Sequence, residues 1–211
     1  MSEVSRALHE PWPSLARQKE AVSFGVWAFL ASEVLFFGGL FLAYSVYRNL
    51  YPHGFVAAAR ETEVFFGTFN TGVLMTSSLT MAVAVRAAEG GMRRLTFWCL
   101  SITAALGIVF LIAKGFEYHD DIVNRLVPGP NFKLHEQGAE IFWAFYWIAT
   151  GIHAIHLTVG IIMVGAFAVM LHRRAAPLAG PRYEGAALYW HLVDIIWVIL
   201  LPLLYLVGRA S

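Results

Sequence analysis

Charge is scarce in this chain, and so is cysteine. Charged residues make up 14% of the 211 residues, against roughly a quarter in soluble domains. One cysteine, Cys99, sits in an apolar run, so no intrachain disulfide can form and redox compartment cannot be read from it. A net charge of +1, with no basic cluster interleaved with aromatics, excludes a nucleic-acid partner. There is no phosphate-binding P-loop, no Gly-x-Ser-x-Gly elbow, no cysteine pair and no dinucleotide fingerprint. The first twenty residues hold Glu3, Glu10, Glu20, Pro11 and Pro13 and lack the apolar core of a cleavable signal. The first hydrophobic run is therefore expected to act as its own insertion signal.

What is abundant is hydrocarbon. Apolar residues account for 58% of the chain, and the mean hydropathy is +0.62. A bilayer-spanning helix needs about 20 apolar residues. Five runs qualify, at about 21–47, 64–85, 95–116, 141–171 and 186–207. The expected architecture is an all-α integral membrane protein. A tail over 1–20 leads into a bundle of five transmembrane helices over 21–211. Pro202 should kink the fifth run or end its regular hydrogen bonding. No connection is long enough to hold a soluble catalytic domain.

The connections differ in charge. Arg6, Arg17, Lys19, Arg86, Arg93, Arg94, Arg173, Arg174 and Arg182 gather on one side. The other side carries Arg48, Arg60, Arg125, Lys133 and Arg209, with Lys114 near its boundary, and most of the loop acids. Lys/Arg bias sets orientation, which puts the amino terminus in the cytoplasm and the carboxyl terminus outside. Thr68, Gly72, Thr76, Thr80 and Ala84 recur every four residues in the second run, and Gly151, Ala154 and Thr158 lie in the fourth. Both sets read as close-packing faces. Trp143, Trp147 and Trp190 fit interface belts, Trp12 falls in the tail, and Trp27, Trp98 and Trp197 are open to either protein or lipid.

Polar groups inside these runs need an explanation, because each is costly in hydrocarbon and should face protein. Glu33 lies near the middle of the first run. It reads either as a proton-handling carboxylate or as a hydrogen-bonded fastener between helices. His153 and His156 share a face of the fourth run, as His191 and Asp194 do in the fifth. Two ligands from one turn of helix cannot reach opposite sides of a haem iron. A cross-helix pair of His153 with His191 is geometrically open. So is a metal cluster drawn from Glu33, His153, His156, His191 and Asp194, since helix bundles assemble such sites. No Glu-x-x-His motif supports one inside the runs. The favoured reading is an interhelical hydrogen-bond network with no metal. Lys114, Glu117 and Tyr118 close the third run and read as an interfacial anchor, with an i,i+3 ion pair of a few tenths of a kcal/mol at most if exposed.

Three segments together resemble subunit III of the haem–copper terminal oxidases. Phe29–Tyr44, FLASEVLFFGGLFLAY, is similar to that family's Ser-Glu-hydrophobic-Phe-Phe signature. Ala149–Gly160, ATGIHAIHLTVG, resembles its Thr-Gly-x-His-x-x-His, and Tyr189–Tyr205 contains Trp-His-x-Val-Asp-x-x-Trp. Lys114-x-x-Glu117-Tyr118 resembles its Glu-Tyr helix end. The order and placement match over nearly all the chain from residue 21, and the five runs resemble the five-helix bacterial form.

The resemblance implies an accessory subunit in the bacterial cytoplasmic membrane that holds no haem, copper or other metal of its own. It would pack on catalytic subunit I, which carries the haem and copper and reduces oxygen to water. Subunit II, a small subunit IV, membrane lipid and a bound phospholipid are the further partners the resemblance allows. The implied role is support of proton uptake and protection of the catalytic centre in a proton-pumping cytochrome c oxidase of aerobic electron transport. Glu33 matches the family's buried glutamate, and His153, His156, His191 and Asp194 match its other polar positions. A quinol oxidase or a nitric oxide reductase-like complex is the alternative within the family. An autonomous membrane carrier or haem anchor is the alternative outside it.

Overall fold

The five apolar runs are long helices in the computed structural model, which describes residues 14–174, 178 and 182–207. Helix α1 spans Leu15–Leu50, α3 Val64–Glu89, α4 Arg93–Val123, α5 Ala139–His172 and α6 Arg182–Leu201. A short helix, α2, covers Pro52–Arg60 in the stretch expected to be loop. Its proline stands at the first helical position, where a missing N–H costs nothing. Ser14 caps α1 by accepting the Arg17 N–H through its side chain. Trp12, Arg6 and Arg209 lie outside the described residues, whereas residues 15–20 of the expected tail are the first turns of α1. The third run continues past residue 116 to Val123, which draws Asp120 and Asp121 out of the expected loop and into α4.

Pro202 ends the α-helix, as its missing N–H requires, and Pro202–Leu206 continues as a π-helical turn. This turn is held in place, because Tyr44 on α1 donates its hydroxyl to the Leu203 carbonyl. The hairpin between α3 and α4 is tight because Gly91 takes a positive φ of 71°. Gly138 opens α5 with a φ of 91°, and a Cβ there would collide with Tyr51. The loop before α5 thus packs directly on the end of α1 and on α2.

Helix α6 is the interior element, packed against α1, α3 and α5, and half of its apolar window is buried. Helix α1 is the most peripheral of the five, with 11% of its window buried and Phe24 and Leu35 more than three-quarters exposed. The core is built of aromatics: Phe110 meets the Trp197 ring edge-on at 4.7 Å, and Trp143 meets Tyr146 at 4.7 Å.

Two packing expectations are corrected. Thr68, Gly72 and Thr76 are exposed, and the face of α3 that packs is Gly67, Asn70, Leu74, Ser77, Met81, Ala84 and Ala88. The reason is helical geometry: a four-residue step overshoots a full turn by about 40°, so a strict stripe spirals around the helix. The packed set instead follows steps of three and four. Gly151 likewise has open space around it, while Gly107 and Gly160 make the close contacts, against Ile161 and against Trp190 with Tyr189. Trp143 and Trp190 are fully buried instead of lying in interface belts, and Trp147 donates its indole N–H to the Leu126 carbonyl. Trp27 and Trp98 are exposed, whereas Trp197 is buried.

A Cβ at Gly107 would lie 2.8 Å from Ile161 Cγ1 and 3.0 Å from Trp190 Cη2. Gly107→Leu should therefore destabilise the bundle by about 1–3 kcal/mol or more, while Gly151→Leu should have little effect on folding. Thermal unfolding of the two variants in membranes checks this contrast.

Candidate functional site: buried polar clusters between the helices

The polar groups within the bundle fall into separate clusters. The largest surrounds Lys114 on α4, whose side chain is 2% exposed. Its Nζ donates to the Tyr146 hydroxyl on α5 at 2.9 Å and to the Tyr205 hydroxyl on the π-helical turn at 2.6 Å. It lies 3.0 Å from Glu117 Oε2, an ion pair one turn along the same helix. Both phenols donate onward to Glu117 Oε1, each at 2.7 Å. Asp121 Oδ2 lies 2.8 Å from the Tyr146 hydroxyl. The rings of Tyr118, Tyr146, Trp197 and Tyr205 enclose the ammonium at 4.5–5.5 Å from their centres. Tyr118 turns its hydroxyl away, to Thr150 at 2.7 Å, and Thr150 donates to the Tyr146 carbonyl.

This corrects the expected interfacial anchor. The Lys114–Glu117 pair is buried among α4, α5 and the π-helical turn, where Glu117 Oε2 meets the ammonium as an ion pair without a hydrogen bond of normal geometry. Spacing along α4 shows the i,i+3 relation but not which face turns inward. Here that face also carries Phe110 and Asp121, so the pair points into the bundle.

The five residues singled out at membrane depth do not form one network. Glu33 on α1 meets His156 on α5, with 3.1 Å between Glu33 Oε2 and His156 Nε2. His156 Nδ1 lies 2.9 Å from the Ile152 carbonyl, which can only accept, so Nδ1 carries a hydrogen. Glu33 Oε2 has no hydrogen bond of normal geometry, so its contact with His156 is one of close approach between α1 and α5. This pair, with the Tyr44–Leu203 bond, fastens the peripheral α1 to the bundle. His191 Nδ1 on α6 lies 2.8 Å from the Ser78 hydroxyl on α3, and Asp194 faces the same serine. Neither Asp194 oxygen has a hydrogen bond of normal geometry. His153 is fully buried between the rings of Phe110 and Trp197, at 5.5 and 5.1 Å, and neither ring nitrogen is hydrogen-bonded. His153 and His191 thus belong to different surroundings. Among the described residues, no three His, Cys, Asp or Glu side chains converge as metal ligands would.

Sequence reasoning missed Tyr146, Tyr205, Asp121 and Thr150. Asp121 was legible, since it lies seven residues from Lys114 and four from Glu117, on the same helix face. Tyrosines at membrane depth were a second signal, because a buried phenol needs a partner. The seam of α3 against its neighbours was also missed. There Trp190 donates to Ser77, Trp197 donates to Thr71, and Thr80 bonds Thr103.

These features define a multi-pass helical membrane protein with buried polar clusters between its helices. The profile of one family, described as "Cytochrome c oxidase subunit III", matches residues 14–209. "Cytochrome c oxidase subunit 3" of Thermostichus vulcanus is 33% identical over 191 residues, covering 88% of this chain and 87% of that protein. The protein of the same name from Corynebacterium diphtheriae is 32% identical, covering 88% of each chain. "Quinol oxidase subunit 3" of Bacillus spizizenii is 28% identical, covering 89% of this chain and 87% of its own length. The chain belongs to the cytochrome c oxidase subunit III family, and so is a component of an oxidoreductase complex.

Removing one member of a buried ion pair strands the other, at a cost of about 3–5 kcal/mol, whereas an apolar replacement of both can be nearly neutral. Glu117→Leu alone should therefore strongly destabilise the chain, and adding Lys114→Met should recover much of the loss. Denaturant unfolding of the single and double variants in mixed micelles measures the coupling. Additive losses would mean that the pair is wet.

Proposed function

We propose that this chain is the accessory, cofactor-free subunit III of a proton-pumping haem–copper oxidase in a bacterial cytoplasmic membrane. It packs on the catalytic subunit I, beside subunit II, and supports proton uptake and the stability of the catalytic centre. The observation that supports this reading is how the buried histidines are used. His153 is wedged between two aromatic rings, His156 is held by a carbonyl and Glu33, and His191 is held by Ser78. They are arranged as helix fasteners, each with separate partners, instead of around a common point where a haem or metal would sit. The redox chemistry of the complex then belongs to neighbouring subunits, and no residue of this chain is assigned a catalytic role.

Glu33, on the helix least covered by its own chain, faces His156 at 3.1 Å, a contact suited to holding α1 in the bundle. Cytochrome c is the electron donor that the Thermostichus and Corynebacterium relatives' names suggest. The Bacillus relatives, named as quinol oxidase subunits, keep a quinol-oxidising partner as the second reading.

Purification of an affinity-tagged chain in mild detergent tests the proposal. It should bring down a partner with haem absorption, and stripping this chain away should leave that absorption with the partner. Glu33→Gln should leave oxygen reduction within about twofold of wild type, while this subunit is retained less well during purification. A haem band on the isolated chain would contradict the reading. So would loss of turnover by Glu33→Gln in a fully assembled complex.

A further inference from the structure

We propose that Glu117 and Asp121 form a proton-sharing carboxyl pair bridged by the Tyr146 hydroxyl, with the proton resident on Asp121. The inference does not depend on the role assigned to the complex. It follows from counting hydrogens around one oxygen.

The Tyr146 hydroxyl has one hydrogen and two lone pairs. Three groups approach it: Lys114 Nζ at 2.9 Å, Glu117 Oε1 at 2.7 Å and Asp121 Oδ2 at 2.8 Å. Lysine can only donate, so it takes one lone pair. The single phenolic hydrogen can go to one carboxyl oxygen. The other carboxyl would then face a bare oxygen at hydrogen-bond distance in a buried site, which is repulsive unless it brings its own hydrogen. Both carboxyls are almost wholly buried, at 1% and 3% exposure, so water does not settle the conflict from outside. The geometry is satisfied when the two carboxyls together hold one proton.

The surroundings decide where that proton rests. Glu117 lies against the ammonium and accepts from both phenols, so it is the ionised member. Asp121 then carries the hydrogen and donates it to the second lone pair of Tyr146. With Lys114 positive and Glu117 negative, the buried cluster is neutral overall, which is the least costly state away from water. The titratable groups around the pair come from three elements: Lys114, Tyr118 and Asp120 from α4, Tyr146 from α5 and Tyr205 from the π-helical turn.

The same arrangement is a relay. Transfer of the Asp121 hydrogen to the Tyr146 oxygen, with release of the phenolic hydrogen to Glu117 Oε1, moves one proton from Asp121 to Glu117. It breaks one O–H bond at each donor and forms one at each acceptor, and the phenol is left neutral with its hydrogen turned to Asp121 instead of Glu117. This chain therefore holds a transferable proton between α4 and α5.

Infrared difference spectroscopy of the assembled complex tests this. Subtracting Asp121→Asn from wild type at neutral pH should reveal a lost protonated-carboxyl C=O band that is sensitive to deuterium. Asp121→Glu should restore it, shifted. Asp121→Asn should assemble normally, since its amide still donates to Tyr146. Tyr146→Phe, which leaves position 121 intact, should shift the same band because the acid loses its acceptor. Loss of an ionised carboxylate band with Asp121→Asn would overturn the proposal. So would assembly of Asp121→Glu but not Asp121→Asn, or no change in the protonated-carboxyl region with Tyr146→Phe.

Discussion

An ammonium group in the interior of a membrane bundle has few acceptable surroundings, and the position of Lys114 constrains much of the rest. Its charge needs an opposite charge in contact, which Glu117 supplies from the next turn. Its remaining hydrogens need acceptors, which come from Tyr146 and Tyr205 on two other elements. Three elements must therefore meet at one point in one register. Such a pair contributes little net stability over well-packed apolar side chains, but misplacing any member is expensive. Its effect is on specificity: α4, α5 and the end of the last helix have one favourable alignment, because sliding by a turn would strand a charge.

That requirement accounts for features that otherwise look unrelated. Tyr205 reaches the cluster from beyond Pro202, where the chain has left α-helical geometry for a π-helical turn. The carbonyl of Leu203 in this turn is taken by Tyr44 of α1, so the irregular backbone is satisfied by protein instead of being open to lipid. A Cβ at Gly67 would lie 3.0–3.1 Å from Leu201 and Tyr205 side-chain atoms, so glycine there leaves room for α3 to pack close at the same place. Helix α6 thereby becomes the interior element. Helix α1 is left on the rim, held to the bundle chiefly by Tyr44, Glu33 and aromatic contacts. That rim helix keeps an apolar outer face and turns Glu33 inward against His156.

The spans were legible in the sequence because hydrocarbon thickness imposes a length that composition cannot hide, and the break at Pro202 was legible because a missing N–H has one consequence. Short α2 was not, since nine residues are too few to stand out from a loop, although Phe55, Ala58 and Ala59 give it a buried apolar face. The Thr68–Thr76 stripe misled because a four-residue spacing looks regular in text yet turns steadily around a helix. Trp143 and Trp190 misled for a different reason: tryptophan suits an interface belt and a core equally, and neighbours in space decide between them. Glu33, His153, His156, His191 and Asp194 were each found, since any ionisable group in an apolar run stands out. Their pairing was not, because partners such as Ser78 and the Ile152 carbonyl are ordinary residues far away or backbone atoms without a signature. Lys114 and Glu117 were seen as a pair but placed at the boundary. Their burial depends on Tyr146 and Tyr205, 32 and 91 residues further along the chain.

Lys114 stands at the junction of three elements as a buried, charged ammonium. Nitrogen-15 solid-state NMR of lysine-labelled protein in lipid, with Lys114→Met to assign the signal, tests it most directly. The account predicts an ammonium resonance for Lys114 that stays charged through neutral pH, exchanges slowly with solvent and shows contacts to the Tyr146 and Tyr205 rings. A neutral amine, or an ammonium that exchanges as fast as those of surface lysines, would contradict it.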